Sequence, residues 1–325
     1  MKQKFTIILS VALLLALTVF MLSDLFLSSP SNENPYDLKL DSLRVADSTT
    51  PVYREIPGFS PGMIDIHCVA VDKQGNIYVG GTDTLRKYDM KGRLLSSIIS
   101  KGYYCCLHID QRGKIIAGVE DHVRVIDPKT RQTVDWKPLT DNSFITSIAS
   151  SGNEIFIADF GQKLVFRCSQ DGRVLKKIGQ RDPQLGIPGI VLPSAYFDCA
   201  TDTDGALWVA NTGRHLLEKY DAEGNRLESW GEPSMAVSGF CGCCNPSHFV
   251  ILPDGNFVTA EKGIERVKLY SPKGEFIGLV AGADAFDEGT IGLDLAIGKN
   301  GEIIVLDPFR AKIRVFSKEI TASKQ

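Results

Sequence analysis

The chain has 325 residues, a formal net charge of −3, five histidines and eight cysteines. A chain this close to neutral, with no basic cluster beyond its N-terminus, gives no reason to expect a nucleic-acid partner. The sequence also contains nothing that resembles a Ser-His-Asp arrangement, a phosphate-binding loop or a nucleotide-binding fingerprint. A membrane, a metal ion, a small molecule or another protein remain as partners to consider.

An apolar segment near the N-terminus predicts where the protein works. Two lysines precede an almost unbroken apolar run, Phe5–Leu22, which is close to the length that spans a bilayer as a helix. We therefore predict a signal-anchor or transmembrane segment over residues 1–27 and a flexible tether over residues 28–50. Basic residues on the short side place the rest outside the cytoplasm, in the periplasm or on the outer face of the cytoplasmic membrane. A signal peptide cleaved near Ser28–Ser29 is the alternative.

Residues 51–319 repeat one pattern, in which an apolar strand, a turn ending in glycine and a second apolar strand follow each other. Most copies add a third and a fourth strand. The turn glycines lie 38 to 53 residues apart, at Gly75, Gly113, Gly152, Gly205, Gly255 and Gly301. Six units of four short strands at this spacing predict an all-β fold, a six-bladed β-propeller, followed by a tail over residues 320–325.

The two ends of the repeat region predict how the propeller closes. The last copy ends after its third strand, Ile313–Phe316, and has no fourth strand of its own. The segment Pro51–Pro57, before the first copy, has the alternation of a fourth strand. We expect this N-terminal strand to complete the last blade, because pairing removes two free sheet edges at once.

The stretch Leu207–Asn225, with the sequence LWVANTGRHLLEKYDAEGN, resembles NHL repeats, which build six-bladed propellers. The resemblance covers about residues 52–319 and implies the fold. It does not imply one function, because NHL propellers serve as ligand-binding platforms, scaffolds and occasionally enzymes. One relative, the peptidylglycine amidating lyase, holds a zinc ion with histidines at its centre. This chain has too few suitably placed histidines for that pattern and offers cysteines instead.

The start of each innermost strand carries the main candidate site. Counting back seven residues from each turn glycine, with one gap in the third copy, gives one residue per repeat: Cys68, Cys106, Thr146, Asp198, His248 and Asp294. Innermost strands line the central channel, so these residues are expected to form a ring. Thiolate, imidazole and carboxylate groups suit zinc, copper or iron. Coincidence of residue types at strand ends is the alternative.

A cysteine-rich loop directly precedes His248. It reads Gly-Phe-Cys241-Gly-Cys243-Cys244-Asn-Pro-Ser-His248. Metal ligation by two or three of these groups is one interpretation, and a redox dithiol is another. A third is a disulfide from this loop to Cys105 or Cys106 that staples the channel mouth. The metal hypothesis thus takes Cys68, Cys106, Cys241, Cys243, Cys244, His248 and Asp198 as ligands, with His67, Cys105 and Asp294 around them.

Other polar and thiol residues are predicted to be structural. Cys168 and Cys199 fall at core positions of their strands. The acidic or amide residues at the end of the second strand are expected to brace the following turn; they are Asp159, Asn211, Glu261 and Asp307.

The longest connections, Gly179–Ser194 and Gly231–Asn245, both link a fourth strand to the next first strand. They are therefore expected on the face where the ring residues open, and we expect a protein or small-molecule ligand there.

Three functions follow from the sequence. The first is a membrane-anchored extracytoplasmic propeller with a metal centre for redox, electron-transfer or metal-handling work. The second is a metal-dependent lyase or hydrolase, and the third a non-enzymatic scaffold with structural disulfides.

Overall fold

The computed structural model describes residues 12–19, 51–184 and 187–318. Residues 12–19, in the first of two compact units, are helical, and the Thr18 hydroxyl donates a hydrogen bond to the Leu14 carbonyl at 2.7 Å. Within the described ranges, no helix combines the length and the apolar character needed to cross a bilayer. The rest of the predicted anchor, the tether and the tail lie outside the described residues.

The described part of the second unit is all-β, with 23 strands in five sheets. Its first strand is β1 (Tyr53–Phe59). The next seven strands form sheet I, which contains β2 (Cys68–Val71), β3 (Ile77–Gly80), β4 (Thr82–Tyr88), β5 (Leu94–Ile109), β6 (Ile115–Val119), β7 (His122–Ile126) and β8 (Thr133–Asp135).

Four further sheets have four antiparallel strands each. Sheet II contains β9 (Ile145–Ser151), β10 (Glu154–Asp159), β11 (Leu164–Ser169) and β12 (Val174–Ile178). Sheet III contains β13 (Cys199–Thr201), β14 (Leu207–Asn211), β15 (Leu216–Tyr220) and β16 (Arg226–Trp230), with a 3₁₀ turn at Thr212–Arg214. Sheet IV contains β17 (His248–Ile251), β18 (Phe257–Ala260), β19 (Val267–Tyr270) and β20 (Phe276–Ala281), followed by a 3₁₀ turn at Ala283–Ala285. Sheet V contains β21 (Asp294–Ile297), β22 (Ile303–Asp307), β23 (Lys312–Lys318) and β1.

The prediction of six separate four-stranded blades needs correction. Four sheets have that form, but the strands of the first two repeats make one seven-stranded sheet. The cause is β5, which runs for 16 residues without a break. Its first part pairs with β4 and its last part with β6, and Gly102 between them has φ +130°. The sequence between the first two repeats therefore acts as strand where a connection was expected.

The predicted closure is confirmed. β1 pairs antiparallel with β23, and Tyr53 lies opposite Lys318. The Glu55 carboxylate accepts a hydrogen bond from Nε of the buried Arg314 at 2.9 Å, which adds an ion pair to the strand pairing. The first and last strands of the repeat region thus share one sheet.

Turn glycines also pack closely against aromatic rings of the neighbouring sheet. Gly274 has φ +80°, and a Cβ added there would lie 2.5 Å from the Trp230 ring of sheet III. Gly172 faces Trp136 in the same way. An aromatic ring therefore fills the space that a side chain would need, and the left-handed backbone favours glycine independently.

Candidate functional site

Six chain segments surround the central channel, and five of the six predicted ring residues lie on them; Cys68 directly precedes the first segment. The segments are 69–71, 105–109, 146–149, 198–201, 248–251 and 294–297, and they enclose a cavity of about 270 Å³. Three ring residues, Cys68, His248 and Asp294, are the first residues of β2, β17 and β21. The agreement in register found in the sequence is therefore present in the structure.

His248 is the centre of a small charged cluster. Its Nδ1 atom lies 3.6 Å from Oδ2 of Asp198 and 3.6 Å from Oδ1 of Asp294. The three residues come from sheets III, IV and V, so the propeller itself brings them together. At these distances the contacts are ion pairs and not hydrogen bonds. The His248 side chain is 20% exposed, which leaves it accessible from the cavity.

Both carboxylates also hold the innermost strands in place. Asp198 accepts hydrogen bonds from the Phe249 amide at 2.8 Å and the Ser147 hydroxyl at 2.5 Å. Asp294 accepts one from the Val69 amide at 2.7 Å, which crosses from β21 to β2. Each carboxylate is therefore fixed by backbone donors on one side while its charge faces His248 on the other.

The cluster shifts the pKa of two of its members. Burial raises the pKa of Asp294 to about 6, although the charge of His248 opposes this. For His248 burial lowers the pKa, but the close approach of Asp198 and the charges of both carboxylates outweigh it, so the pKa is raised above its ordinary value of 6.5. Near neutral pH the cluster therefore holds groups that exchange protons readily.

This electrostatic arrangement predicts a titration. In a proton NMR pH series, the His248 ring should titrate above 6.5, whereas burial should keep the pKa of His108 at about 4. Because the folded value of His248 is raised, its contribution to stability is full below 6.5 and is lost as pH rises through the folded pKa.

The Asp198→Asn variant should move the His248 titration to lower pH, since one of the two facing charges is removed. The same change at the exposed turn residue Asp204 serves as the control. A His248 titration that does not respond to Asp198→Asn would contradict the ion-pair description.

The thiols of Cys68 and Cys106 point into apolar surroundings. The Cys68 thiol donates a hydrogen bond to the Tyr104 carbonyl at 3.3 Å, and its residue packs in the core around Tyr104. Cys106 packs beside Ile145 in a separate core cluster. Burial raises the pKa of both thiols well above the ordinary value. Both residues therefore behave as buried thiols in this structure.

Within the described ranges, no three or more His, Cys, Asp or Glu residues are grouped so as to hold a metal ion. All eight cysteines are free thiols, so the structure contains no disulfide between the cysteine loop and Cys105 or Cys106. The predicted core positions of Cys168 and Cys199 are confirmed, with 0% and 5% exposure.

A second cavity lies outside the channel, at its mouth. It has a volume of about 370 Å³, and its lining includes three aromatic residues: Tyr103, Phe144 and Tyr196. His67, predicted as a neighbour of the ligand ring, lines this cavity and stacks on Tyr103 with ring centroids 3.8 Å apart. Burial lowers the pKa of His67, which favours its neutral form. The mouth thus has an apolar, aromatic wall.

His248 connects the two cavities, because it lines both the channel and the mouth. Tyr196 packs edge-on against His248, with ring centroids 6.3 Å apart, and the Lys262 ammonium lies 4.9 Å from the centroid of the Tyr196 ring. Cys105 lines both cavities as well, and burial raises the pKa of its thiol to about 11. A ligand in the mouth would meet an imidazole and a thiol beside aromatic rings.

The cysteine loop divides into two environments. Cys241 is buried against Ile264 and Ala283. Cys243 is exposed and Cys244 is buried, and their sulfur atoms are 3.3 Å apart. The three cysteines therefore do not converge on one point, and only the adjacent pair is in contact.

A buried ionic cluster beneath this loop was not predicted. Glu261 lies 2.8 Å from Nε of Arg266 and 3.1 Å from Nζ of Lys268, and all three side chains are at most 1% exposed. The Lys268 ammonium also donates to the Gly239 carbonyl at 2.6 Å and lies 4.6 Å from the ring of Phe240. Burial lowers the pKa of Lys268 to about 8. Lys268 thus fastens the loop to sheet IV.

Two of the equivalent residues brace the following turn as predicted, whereas Asn211 accepts a hydrogen bond from the Val191 amide at 2.9 Å in the preceding connection. Asp159 accepts from the Gln162 amide at 3.1 Å, and Asp307 accepts from the Arg310 amide at 3.1 Å.

The aromatic wall was also missed, although the sequence carries a usable signal. Tyr196 stands two residues before its ring position and His67 one residue before, so both lie where a connection meets the channel.

Comparison with known proteins supports the propeller fold. No protein-family model and no curated protein matches the sequence. Among solved structures, a streptogramin B lyase is similar with a TM-score of 0.59 at 10% identity, over 82% of this chain and 98% of that one. The WD40 propeller domain of Doa1 has a TM-score of 0.55 at 18% identity, over 79% and 80%. A Bacteroides thetaiotaomicron protein of unknown function has 0.59 at 11% identity, over 83% and 73%.

At these identities the likeness shows the fold alone. The chain is a β-propeller. The narrower resemblance to NHL repeats stays a prediction.

Proposed function

We propose that the channel mouth binds a small molecule and that His248 transfers a proton to or from it, in a lyase or hydrolase reaction. The main support is a histidine beside two carboxylates that lines both cavities, where a ligand in either one would touch it. The raised pKa favours the protonated imidazole, which is the form that acts as a general acid.

The mouth indicates the kind of ligand. Tyr103, Phe144 and Tyr196 offer faces for a ring or another flat apolar group. Lys262 places a cation 4.9 Å from the centroid of the Tyr196 ring. We therefore propose a ligand with a planar apolar part and an anionic or strongly polar group. The similar fold of a streptogramin B lyase agrees with an enzyme of this shape, since that neighbour is a lyase on a propeller.

We further propose that the protein works outside the cytoplasm, anchored in the membrane by its first 27 residues. The support is the apolar run after two lysines. We also infer that sheet I serves as two blades that share β5, because six segments surround the channel. The propeller would then be six-bladed, as NHL propellers are.

A transition-metal centre is the second proposal, in a redox, electron-transfer or metal-handling protein. Its support is the sequence pattern at the channel, where the imidazole of His248 and the carboxylates of Asp198 and Asp294 meet, although the described residues are not grouped so as to hold a metal ion. Zinc, copper or iron accepts donors of these kinds. Elemental analysis of protein purified without chelators tests it. A stoichiometric metal that His248→Ala removes would support the proposal, and protein free of transition metal would refute it.

Binding at the mouth is tested by saturation-transfer NMR with a library of small aromatic acids, esters and lactones. We expect ligands that bind the wild type and bind Tyr196→Ala about tenfold more weakly, because one aromatic wall is lost. Leu227→Ala, which removes an exposed apolar side chain of β16 outside the mouth, serves as the control. A library whose ligands bind the Tyr196→Ala and Leu227→Ala variants equally would place the site elsewhere.

A further inference from the structure

We propose that Cys243 and Cys244 form a redox-active dithiol that closes to a disulfide when it meets a small disulfide compound, and that this bond changes the channel mouth through Tyr196. The second half rests on the proposed function of the mouth. The first half stands independently of it.

The geometry of the pair separates it from the other thiols. The two sulfur atoms are 3.3 Å apart, whereas a disulfide needs about 2.05 Å, so the sulfur atoms must approach by little more than 1 Å. The peptide between the two residues must also distort, because a disulfide between adjacent cysteines closes an eight-membered ring. Cys105 and Cys106 are adjacent as well, but they lie in strand β5, where successive side chains point to opposite faces. The turn conformation of the cysteine loop is what brings Cys243 and Cys244 together.

The loop is held so that the pair stays together. The buried Asn245 side chain donates to the carbonyls of Cys241 and Lys262 at 2.6 and 2.9 Å and accepts from the Lys262 amide at 3.0 Å. These three hydrogen bonds fix the residue that directly follows the pair. The loop therefore presents the two thiols in contact without help from a ligand.

The two thiols have different surroundings, as the two steps of thiol–disulfide exchange require. Cys243 is exposed, so an outside disulfide can reach it. Cys244 is buried, and its sulfur accepts a hydrogen bond from the Ser194 hydroxyl at 2.8 Å. Burial raises the pKa of the Cys244 thiol, and the hydrogen bond from Ser194 opposes this by stabilising the thiolate, which is the form that attacks. Cys243 is thus placed to react first and Cys244 to complete the bond.

Thiol–disulfide exchange with a small disulfide compound needs no other oxidant. The Cys243 thiolate attacks one sulfur of a small disulfide RSSR, breaks its S–S bond and releases RS⁻, which takes up a proton. The Cys244 thiol loses its proton to solvent and attacks the Cys243 sulfur of the mixed disulfide. The second RS⁻ leaves and is protonated. The two thiols are oxidised to one disulfide, and RSSR is reduced to two RSH.

Closure reaches the mouth through a short chain of contacts. The Ser194 carbonyl accepts a hydrogen bond from the Tyr196 amide at 2.7 Å, so the two residues belong to one tight turn. The Tyr196 ring in turn packs against His248 and carries Lys262 over its face. When Cys244 moves toward Cys243, the contact with Ser194 must change, and the turn that positions Tyr196 changes with it.

The test uses the purified full chain in glutathione redox buffers, with peptide mapping by mass spectrometry. We expect oxidised glutathione to convert Cys243 and Cys244 into an internal disulfide, with Cys241 remaining a free thiol. Cys244→Ser should stop at a mixed disulfide on Cys243, and Ser194→Ala should slow ring closure about tenfold, as expected for losing one hydrogen bond to a charged sulfur. Cys241→Ser is the control.

Persistent glutathione on wild-type Cys243, no oxidation at all, or a bound metal ion that blocks it would overturn the dithiol. Wild-type mapping needs no variant to fold, so it decides this half alone. The coupling is read from the His248 ring proton in NMR, without ligand or turnover. It should shift on oxidation of the wild type but not of Cys243→Ser, and an unchanged signal in a fully oxidised wild type would overturn the link to the mouth.

Discussion

Replacing Glu261 by alanine is expected to lower the free energy of unfolding by about 3–5 kcal/mol, which is the usual cost of leaving a buried charge without its partner. The carboxylate lies between Arg266 and Lys268, and none of the three is exposed to solvent by more than 1%. Its removal leaves two cations facing each other in the interior. Urea unfolding followed by circular dichroism measures the change.

The matched control is Asp287→Ala, which breaks an ion pair with Arg310 that is open to solvent on both sides. That pair should contribute no more than about 1 kcal/mol. The loop above the cluster should also respond to Glu261→Ala, because Lys268 holds the Gly239 carbonyl while paired with Glu261. Equal effects of the two substitutions would show that the buried cluster is not what fastens the loop.

Removing β1 is expected to have the second large effect. A chain that starts at residue 60 loses the strand that pairs with β23, so sheet V keeps a free edge and the ring of sheets has no closure. Arg314, which is 3% exposed, also loses the carboxylate of Glu55. We expect this chain to aggregate or to unfold without a cooperative transition.

A chain that starts at residue 45 keeps β1 and is the control for the truncation itself. It should unfold cooperatively, as two-state domains do. Differential scanning calorimetry of both chains measures their unfolding temperatures and enthalpies. If they unfold at the same temperature with the same enthalpy, closure by β1 does not stabilise the propeller.

Much of the fold follows from the spacing of residues along the chain. Turn glycines such as Gly75 and Gly205 recur at a propeller's period, and the unpaired third strand at the C-terminus required a partner that Tyr53–Phe59 supplies. The continuous β5 could not be predicted in this way. Its middle contains Gly102 with φ +130°, and pairing with β4 on one side and β6 on the other keeps the strand continuous.

The site was predicted in part, for a similar reason. Register places His248, Asp198 and Asp294 at one level, because equivalent positions of a repeat must meet around the channel. Register says less about where a side chain points at the start of a strand, since one residue changes the face. The Cys68 thiol accordingly lies in an apolar cluster and outside the channel lining, whereas Cys106 packs in a core cluster and also lines the channel with His248. Lys268 was missed because the Gly239 carbonyl, to which it donates a hydrogen bond, is brought to it from the cysteine loop by tertiary packing.

Turnover by the His248→Gln variant tests whether His248 transfers a proton to or from a ligand at the mouth. Ligands found at the mouth that carry an ester, a lactone or another cleavable bond are incubated with the wild type, with His248→Gln and with His122→Gln, whose histidine lies in β7 outside both cavities. We predict that His248→Gln lowers kcat by about a hundredfold or more while binding changes little, and that His122→Gln leaves kcat unchanged. A His248→Gln variant that turns over a mouth ligand as fast as the wild type would contradict the account.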